Sequence, residues 1–322
     1  MFDKVKFIIH RTGGRSQFSH LAEVLEKPEQ KLRADTGELG GMRGRIRNIS
    51  VYEFPWGVSI EGSLCKFAHG SNLIDLSFEE ARNALVELGE LTKLDVREAT
   101  VTRLEFGCNL VMKSSVARYF PLLGSMPRRL RDPFGASSLY YRREGKKQLD
   151  TLKFYDKIAE AKKENISIPP SLAEVNLLRV ELSLNGNLSR QLNREVLGKT
   201  LGDPSFYNDM IDLLINKYCL INKQDAMIIK NLTEFKTPKA AANGFLASVL
   251  LQDKNPQEAI ENYIRSLRDA NVFADRNDYT RTKKRLLELL KAAEISERNP
   301  LRDELDAAVL ELSNRKCPSP LL

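Results

Sequence analysis

Three short segments of this chain place chemically capable side chains at alternate positions. Thr100–Glu105 carries Arg103 and Glu105, Leu177–Leu184 carries Arg179 and Glu181, and Thr151–Lys157 carries Lys153, Tyr155 and Lys157. In an extended chain, successive side chains point to opposite faces. Thr102, Leu104 and Phe106 therefore turn away from Arg103 and Glu105. Leu178, Val180, Leu182 and Leu184 turn away from Arg179, Glu181 and Ser183, and Leu152 and Phe154 from the Lys-x-Tyr-x-Lys set. Each segment predicts a strand with one apolar face for a core and one polar face. Paired in one sheet, they gather two carboxylates, a phenol and several cations on one surface.

That set suits attack of a tyrosine on a phosphodiester. Glu105 and Glu181 offer hard oxygen ligands to a divalent cation, Mg²⁺ or Mn²⁺. Such an ion polarises a phosphate and offsets the charge that grows on it. Arg103, Lys153 and Arg179 are candidates to hold non-bridging oxygens and orient a DNA strand. A phenol, with an ordinary pKa near 10, is a poor nucleophile when neutral. Flanking Lys153 and Lys157 are expected to favour the phenolate. Asn72 or His69 are the candidates to complete a metal shell. Taken singly, an Arg-x-Glu pair reads as a surface ion pair and a strand tyrosine as packing. Only their convergence gives them weight.

The rest of the composition narrows the setting. A chain of 322 residues is long enough for about two domains. Its formal net charge of +7 favours a polyanionic partner, and nucleic acid is the commonest. Four scattered cysteines, Cys65, Cys108, Cys219 and Cys317, form no C-x-x-C pair and read as free thiols. Three histidines lack metal-ligand spacing, and no P-loop glycine motif is present. No apolar run reaches the length of a membrane span, and the first ten residues lack a secretory core, so a cytoplasmic location is expected.

Positioning three strands requires an α+β framework: an antiparallel-sheet domain over residues 1–188, then a mainly helical domain over 189–322. Ser77 caps a predicted helix over Phe78–Leu94, with Glu79 and Glu80 in its first turn. Strands are expected at Ile49–Phe54, Val58–Phe67, Ala99–Val111 and Leu139–Arg143. A helix or helix-turn is expected at Ser114–Arg131, and a helix at about Lys157–Glu164. Beyond residue 188, helical periodicity runs through Leu192–Leu201, Phe206–Ile221, Pro238–Leu251, Pro256–Ala270 and Tyr279–Glu294. On the last of these, Lys283, Lys284 and Arg285 are candidates for duplex DNA contact.

Four segments, in order, resemble the phage and plasmid replication initiators of the gene II/gene X family. They are Ile60–Asn72 (IEGSLCKFAHGSN), Thr100–Glu105 (TVTRLE), Thr151–Lys157 (TLKFYDK) and Leu177–Glu181 (LLRVE). The order R-x-[DE], Y-x-K, R-x-E is also similar to the initiators of staphylococcal rolling-circle plasmids. The resemblance implies that Tyr155 is the nicking nucleophile, with Lys157 beside it, and that Glu105 and Glu181 are the metal-binding acids. Glu105 departs from the aspartate common in relatives. Ser63, Lys66, Gly70 and Asn72 fit the first segment, with Lys66 directed to DNA, whereas His69 is not a fixed part of it. The H-hydrophobe-H motif of the wider HUH nickase superfamily is missing, so a related fold implies a diverged metal site. The implied activity is a site-specific, metal-dependent DNA nickase and strand transferase. It would form a 5′-phosphotyrosyl intermediate and a 3′-hydroxyl primer at an origin, with a host helicase and DNA polymerase in a bacterial cytoplasm. A conjugative relaxase or mobilisation nickase, a non-catalytic nucleic-acid-binding protein and a metal-dependent nuclease that uses activated water remain the alternatives.

Overall fold

Alternating sequence becomes alternating structure over most of the first two hundred residues. The computed structural model describes residues 1–32, 39–143, 145, 149–223, 256–270, 272–273, 275–293 and 300–318. Its strands are β1 (Phe2–His10), β2 (Glu26–Leu32), β3 (Leu39–Ile46), β4 (Ile49–Phe54), β5 (Gly57–Ser63), β6 (Thr100–Met112), β7 (Leu130–Phe134), β8 (Ser138–Arg142), β9 (Asp150–Asp156) and β10 (Asn176–Asn185). They form one ten-stranded sheet in the order β2-β3-β4-β5-β1-β6-β10-β9-β8-β7. Every neighbouring pair is antiparallel. The helices are α1 (Leu21–Val24), α2 (Leu64–His69), α3 (Phe78–Thr92), α4 (Lys157–Lys163), α5 (Leu188–Leu192), α6 (Pro204–Cys219), α7 (Pro256–Asp269), α8 (Arg276–Ala293) and α9 (Pro300–Leu310). The fold is α+β, with the sheet in the N-terminal part and the longer run of helices after it.

Register decides which side chains share a face, because residues directly opposite in an antiparallel pair point the same way. Ser183 lies opposite Glu105 and Glu181 opposite Gly107. Glu181 lies opposite Lys153, and Arg179 opposite Tyr155. Further along the sheet, Arg103 pairs with Lys6, Lys6 with Glu61, Glu61 with Ser50, and Ser50 with Arg45. With Tyr140 opposite Lys153, the polar face is thus continuous from Arg43 and Arg45 of β3 to Tyr140 of β8 and Tyr155 of β9.

The apolar face carries the core. Helix α3 begins at a capping box, in which Glu80 N–H donates to Ser77 Oγ at 3.2 Å and Ser77 N–H to Glu80 Oε2 at 2.8 Å. Helix α6 starts with proline after the Asp203 cap, where a missing N–H costs nothing. Its Phe206 stacks on Phe2 at 6.1 Å between centroids, and Tyr207 meets the edges of Phe2 and Phe106 at 5.6 and 5.7 Å. Burying these rings holds helix to sheet; truncating one such phenylalanine to alanine typically costs about 3–5 kcal/mol.

Three expected elements differ. The strand after Gly57 stops at Ser63, whose Oγ accepts from Lys66 N–H at 3.0 Å and starts α2, closed by left-handed Gly70 at φ 77°. Ser114–Arg131 is not a helix but two 3₁₀ turns, Val116–Arg118 and Phe120–Leu122, followed by a loop into β7. Pro121 and Pro127 each lack the N–H a helix interior needs. Leu192–Leu201 divides between the end of α5 and a 3₁₀ turn at Gly198–Gly202, separated by left-handed Asn193 at φ 52°. The expected helix Pro238–Leu251 lies outside the described residues.

Contacts divide the chain into two units. The first comprises residues 1–120, 124–222 and 305–322, and the second residues 121–123 and 223–304. Within the first, the C-terminal segment returns to α6, where Tyr218 Oη donates to Asp306 Oδ1 at 2.5 Å. Within the second, α7 and α8 pack through Ile260, Ile264 and Tyr279. Among the described residues, no helix is long and apolar enough to cross a membrane.

One buried carboxylate makes the first unit acid-sensitive. Burial raises the pKa of Asp150, but hydrogen bonds from Arg129 and the charge of Lys217 outweigh it and hold the carboxyl at about 2. Its folded pKa lies below the unfolded 3.8, so its stabilisation is full above about pH 4 and fades as pH falls through 2. Asp150→Asn should remove about 2 kcal/mol at neutral pH and flatten the acid limb of a denaturation curve. An unchanged acid limb would refute the assignment.

Candidate active site

The three segments singled out by alternation meet on the polar face. Lys153 Nζ donates to Glu181 Oε1 at 2.7 Å and to Glu105 Oε1 at 3.2 Å, so one ammonium joins both carboxylates. Glu105 also accepts from Arg103 at 2.7 Å and from Ser183 Oγ at 3.2 Å. Tyr155 Oη donates to Glu181 Oε2 at 3.1 Å. Glu105, Lys153, Tyr155 and Glu181 line an open groove of about 580 Å³ with Asp3, Lys66, Asn72 and Tyr140.

Electrostatics sets the resting protonation. Burial raises the Glu105 pKa, but Lys153 and Arg103 outweigh it and hold it below the ordinary value. Burial lowers Lys153, yet Glu181 and Glu105 outweigh it and leave the ammonium raised. Burial, and then the Glu181 carboxylate, push the Tyr155 phenol well above 10. The expectation that flanking lysines favour the phenolate is therefore corrected. Lys153 is engaged by the two carboxylates. Lys157 is 1% exposed, pairs with Glu160 and sits 5.6 Å over the Tyr155 ring. Its contact is with the ring face and steadies the side chain.

Arg179 belongs to the frame beneath the groove. It is 1% exposed, donates to Asp3 Oδ2 at 2.7 Å and Asn109 Oδ1 at 3.3 Å, and pairs with Asp75 at 3.4 Å. Glu181 Oε2 lies 3.5 Å from its Nε. The guanidinium thus supports Glu181 from within the protein and is not presented to solvent as a phosphate clamp. Asp3 is held in turn by Ser63 Oγ and by Asn72 Nδ2 at 3.1 Å. Replacing Asp3 by asparagine leaves a buried guanidinium short of its closest counter-charge. A loss of about 3 kcal/mol in unfolding free energy is expected, read by urea denaturation. A change under about 0.5 kcal/mol, the size of a typical surface effect, would contradict this role.

The remaining candidates occupy varied places. Lys66 lines the groove and pairs with Glu164 at 3.3 Å. His69 bonds Glu80 at 3.2 Å rather than either Glu105 or Glu181. Asn72 lines the groove, and its Oδ1 is buried without a protein partner. Lys283 pairs with Glu261 within the second unit, which also carries Lys284 and Arg285 on α8. Among the described residues, no three or more His, Cys, Asp or Glu side chains cluster as a metal site.

Sequence reasoning missed Asp3, Asp75 and Asn109, which act on Arg179 from distant parts of the chain. It also passed over Gly107. A Cβ there would stand 2.6 Å from Val180 O and 3.0 Å from Glu181 Cα. A glycine inside a strand is a legible sign of such close backbone approach.

The family model for the N-terminal region of the phage gene II replication-associated protein matches residues 1–202. This chain belongs to that family. It is a phage replication-associated protein, and the match spans all ten strands and every residue of the groove. No curated protein matches the chain.

Proposed function

We propose that this protein initiates rolling-circle replication by cutting one strand of origin DNA with Tyr155. The observation that carries this reading is the hydrogen bond from Tyr155 Oη to Glu181 Oε2 in an open, cation-bearing groove. A phenol kept protonated needs a base within reach, and Glu181 is that base. In the proposed step, Glu181 accepts the phenolic proton as Tyr155 Oη bonds to phosphorus. The bond from phosphorus to the 3′-oxygen breaks, and that oxygen takes up a proton from water. The 5′-phosphate stays on the tyrosine, and the free 3′-hydroxyl primes a host polymerase behind a host helicase. Lys153 and Arg103 offset the charge on the phosphate. Attack of a 3′-hydroxyl on the phosphotyrosine reverses the step and rejoins the strand.

The donor set fits a divalent metal. Glu105 and Glu181 already converge on one cation, the Lys153 ammonium, and Asn72 Oδ1 is a buried oxygen without a partner on the same groove. Two carboxylates and a carbonyl oxygen match Mg²⁺ or Mn²⁺, since Mg²⁺ commonly retains several waters. Bound there, the ion would polarise the scissile phosphate. Glu181 can serve both roles because its two oxygens face different partners, Oε1 towards Lys153 and Oε2 towards Tyr155.

The test is incubation of supercoiled origin plasmid with the protein and Mg²⁺. A protein–DNA adduct, sensitive to protease and located at the nicked 5′ end, is expected. Nicking without an adduct would indicate a nuclease that uses water, and binding without nicking a non-catalytic protein. Failure of the gene to sustain a plasmid replicon, with the adduct present, would favour a relaxase.

Affinity for duplex origin is assigned to the second unit, since contacts to phosphate carry little sequence information. Replacing Lys283, Lys284 and Arg285 with alanine should weaken origin binding and lower its salt slope by up to about 3. Cleavage of a single-stranded oligonucleotide should change far less. An unchanged salt slope would move the duplex contact elsewhere.

A further inference from the structure

The polar sheet face does not end at the nicking groove. Ser50 and Tyr52 line that groove and also a second one of about 350 Å³, bordered by Arg43, Arg45 and Arg47. From Tyr52, a row of aromatic rings runs along β4 and its turn. Tyr52 and Phe54 lie 6.3 Å apart with planes inclined by 21°, and Phe54 and Trp56 lie 4.9 Å apart and nearly parallel, at 4°. His10 stands 6.1 Å beyond Trp56. Such rings would ordinarily be buried, yet Trp56 is 49% exposed and Tyr52 and Phe54 are only half-buried. Arg43 and Arg45 lie on the neighbouring strand, Arg43 exposed and directly opposite Tyr52.

We propose that this row, Tyr52, Phe54 and Trp56 with Arg43 and Arg45, is a binding subsite for single-stranded DNA flanking the nick. The proposal rests on the nicking reading, because the subsite is continuous with the Tyr155 groove through Tyr52. Two features favour single-stranded DNA. Bases of a melted strand expose flat faces that stack on aromatic side chains, and every base has such a face, so the contact tolerates sequence. The arginines supply charge for the phosphates between those bases. In a duplex the base faces are stacked on one another and cannot reach the rings. Holding the flank would keep the melted strand extended through the groove while Tyr155 attacks, and retain it until rejoining.

Trp56 is the only tryptophan in the chain, so its fluorescence reports the subsite directly. The full-length protein should be titrated with oligo(dT) and with a duplex of equal length. Quenching by oligo(dT), with little by duplex, is expected. Trp56→Ala should raise the Kd for oligo(dT) about tenfold, the loss of one stacked base, and Trp56→Phe should restore most of it. Arg45→Ala should weaken binding and lessen its salt dependence. Absence of quenching, or equal oligo(dT) affinity in Trp56→Ala and wild type, would overturn the subsite. Neither result bears on the covalent adduct measured with the wild-type protein. Conversely, quenching without any adduct would remove the nicking reading and leave a single-strand-binding face.

Discussion

Tyr155→Phe is expected to abolish the covalent protein–DNA adduct and lower nicking by about 10⁴-fold or more, as loss of a nucleophile does elsewhere. The substitution removes one oxygen. The ring, its position under Lys157 and its place opposite Arg179 in β10 are kept. Folding should lose only the hydrogen bond to Glu181, about 1 kcal/mol. DNA binding should therefore persist while chemistry stops. A surviving adduct would have to be mapped, and Tyr140 would be its first candidate, since it lines the same groove. Tyr141 is not a candidate: it is fully buried and its hydroxyl donates to Gly124 O at 2.7 Å on the core side of the sheet.

The second large effect separates the two carboxylates. Glu181→Gln keeps a hydrogen-bond acceptor for Tyr155 but cannot take its proton. Nicking should fall by about 10²–10⁴-fold, the usual worth of a positioned base. Added Mg²⁺ should not restore it. Glu105 does not touch the phenol, so Glu105→Gln should shift the Mg²⁺ requirement upward and recover at high metal. The pH profile supplies a further check. Burial, the largest cause of the raised Tyr155 phenol, is unchanged by the substitution, so the Gln variant depends on a small phenolate fraction. Its rate should rise about tenfold per pH unit from about 7 towards 10, whereas the wild type, with its base in place, should rise less steeply. Equal recovery of both variants by metal would leave Glu181 as a ligand alone and require another base.

Much of the site is legible in the residues alone. The period-two pattern assigns Glu105, Lys153, Tyr155, Glu181 and Ser183 to the polar sides of their strands. It succeeds because each strand buries its other side against a core, and burial makes register unforgiving. The cap at Ser77 is equally legible, because capping is a local hydrogen-bond requirement. Where local signals conflict, the pattern misleads. Ser114–Arg131 has helical apolar spacing, but its prolines prevail. Val58–Phe67 is apolar enough for one strand, yet Ser63 captures the Lys66 N–H and turns the chain.

The sequence by itself determined which residues could do the chemistry and which way they face, because alternation and residue type are local properties. Tertiary structure alone decided their states. Tyr155 is a protonated phenol bonded to Glu181, and Lys153 bridges two carboxylates, because burial acts on strands that are far apart in the chain and adjacent in the sheet. Arg179 supports the site from beneath because Asp3, Asp75 and Asn109 reach it from separate parts of the fold. Desolvation and Coulomb interaction depend on distance in space, and no spacing along the chain encodes them.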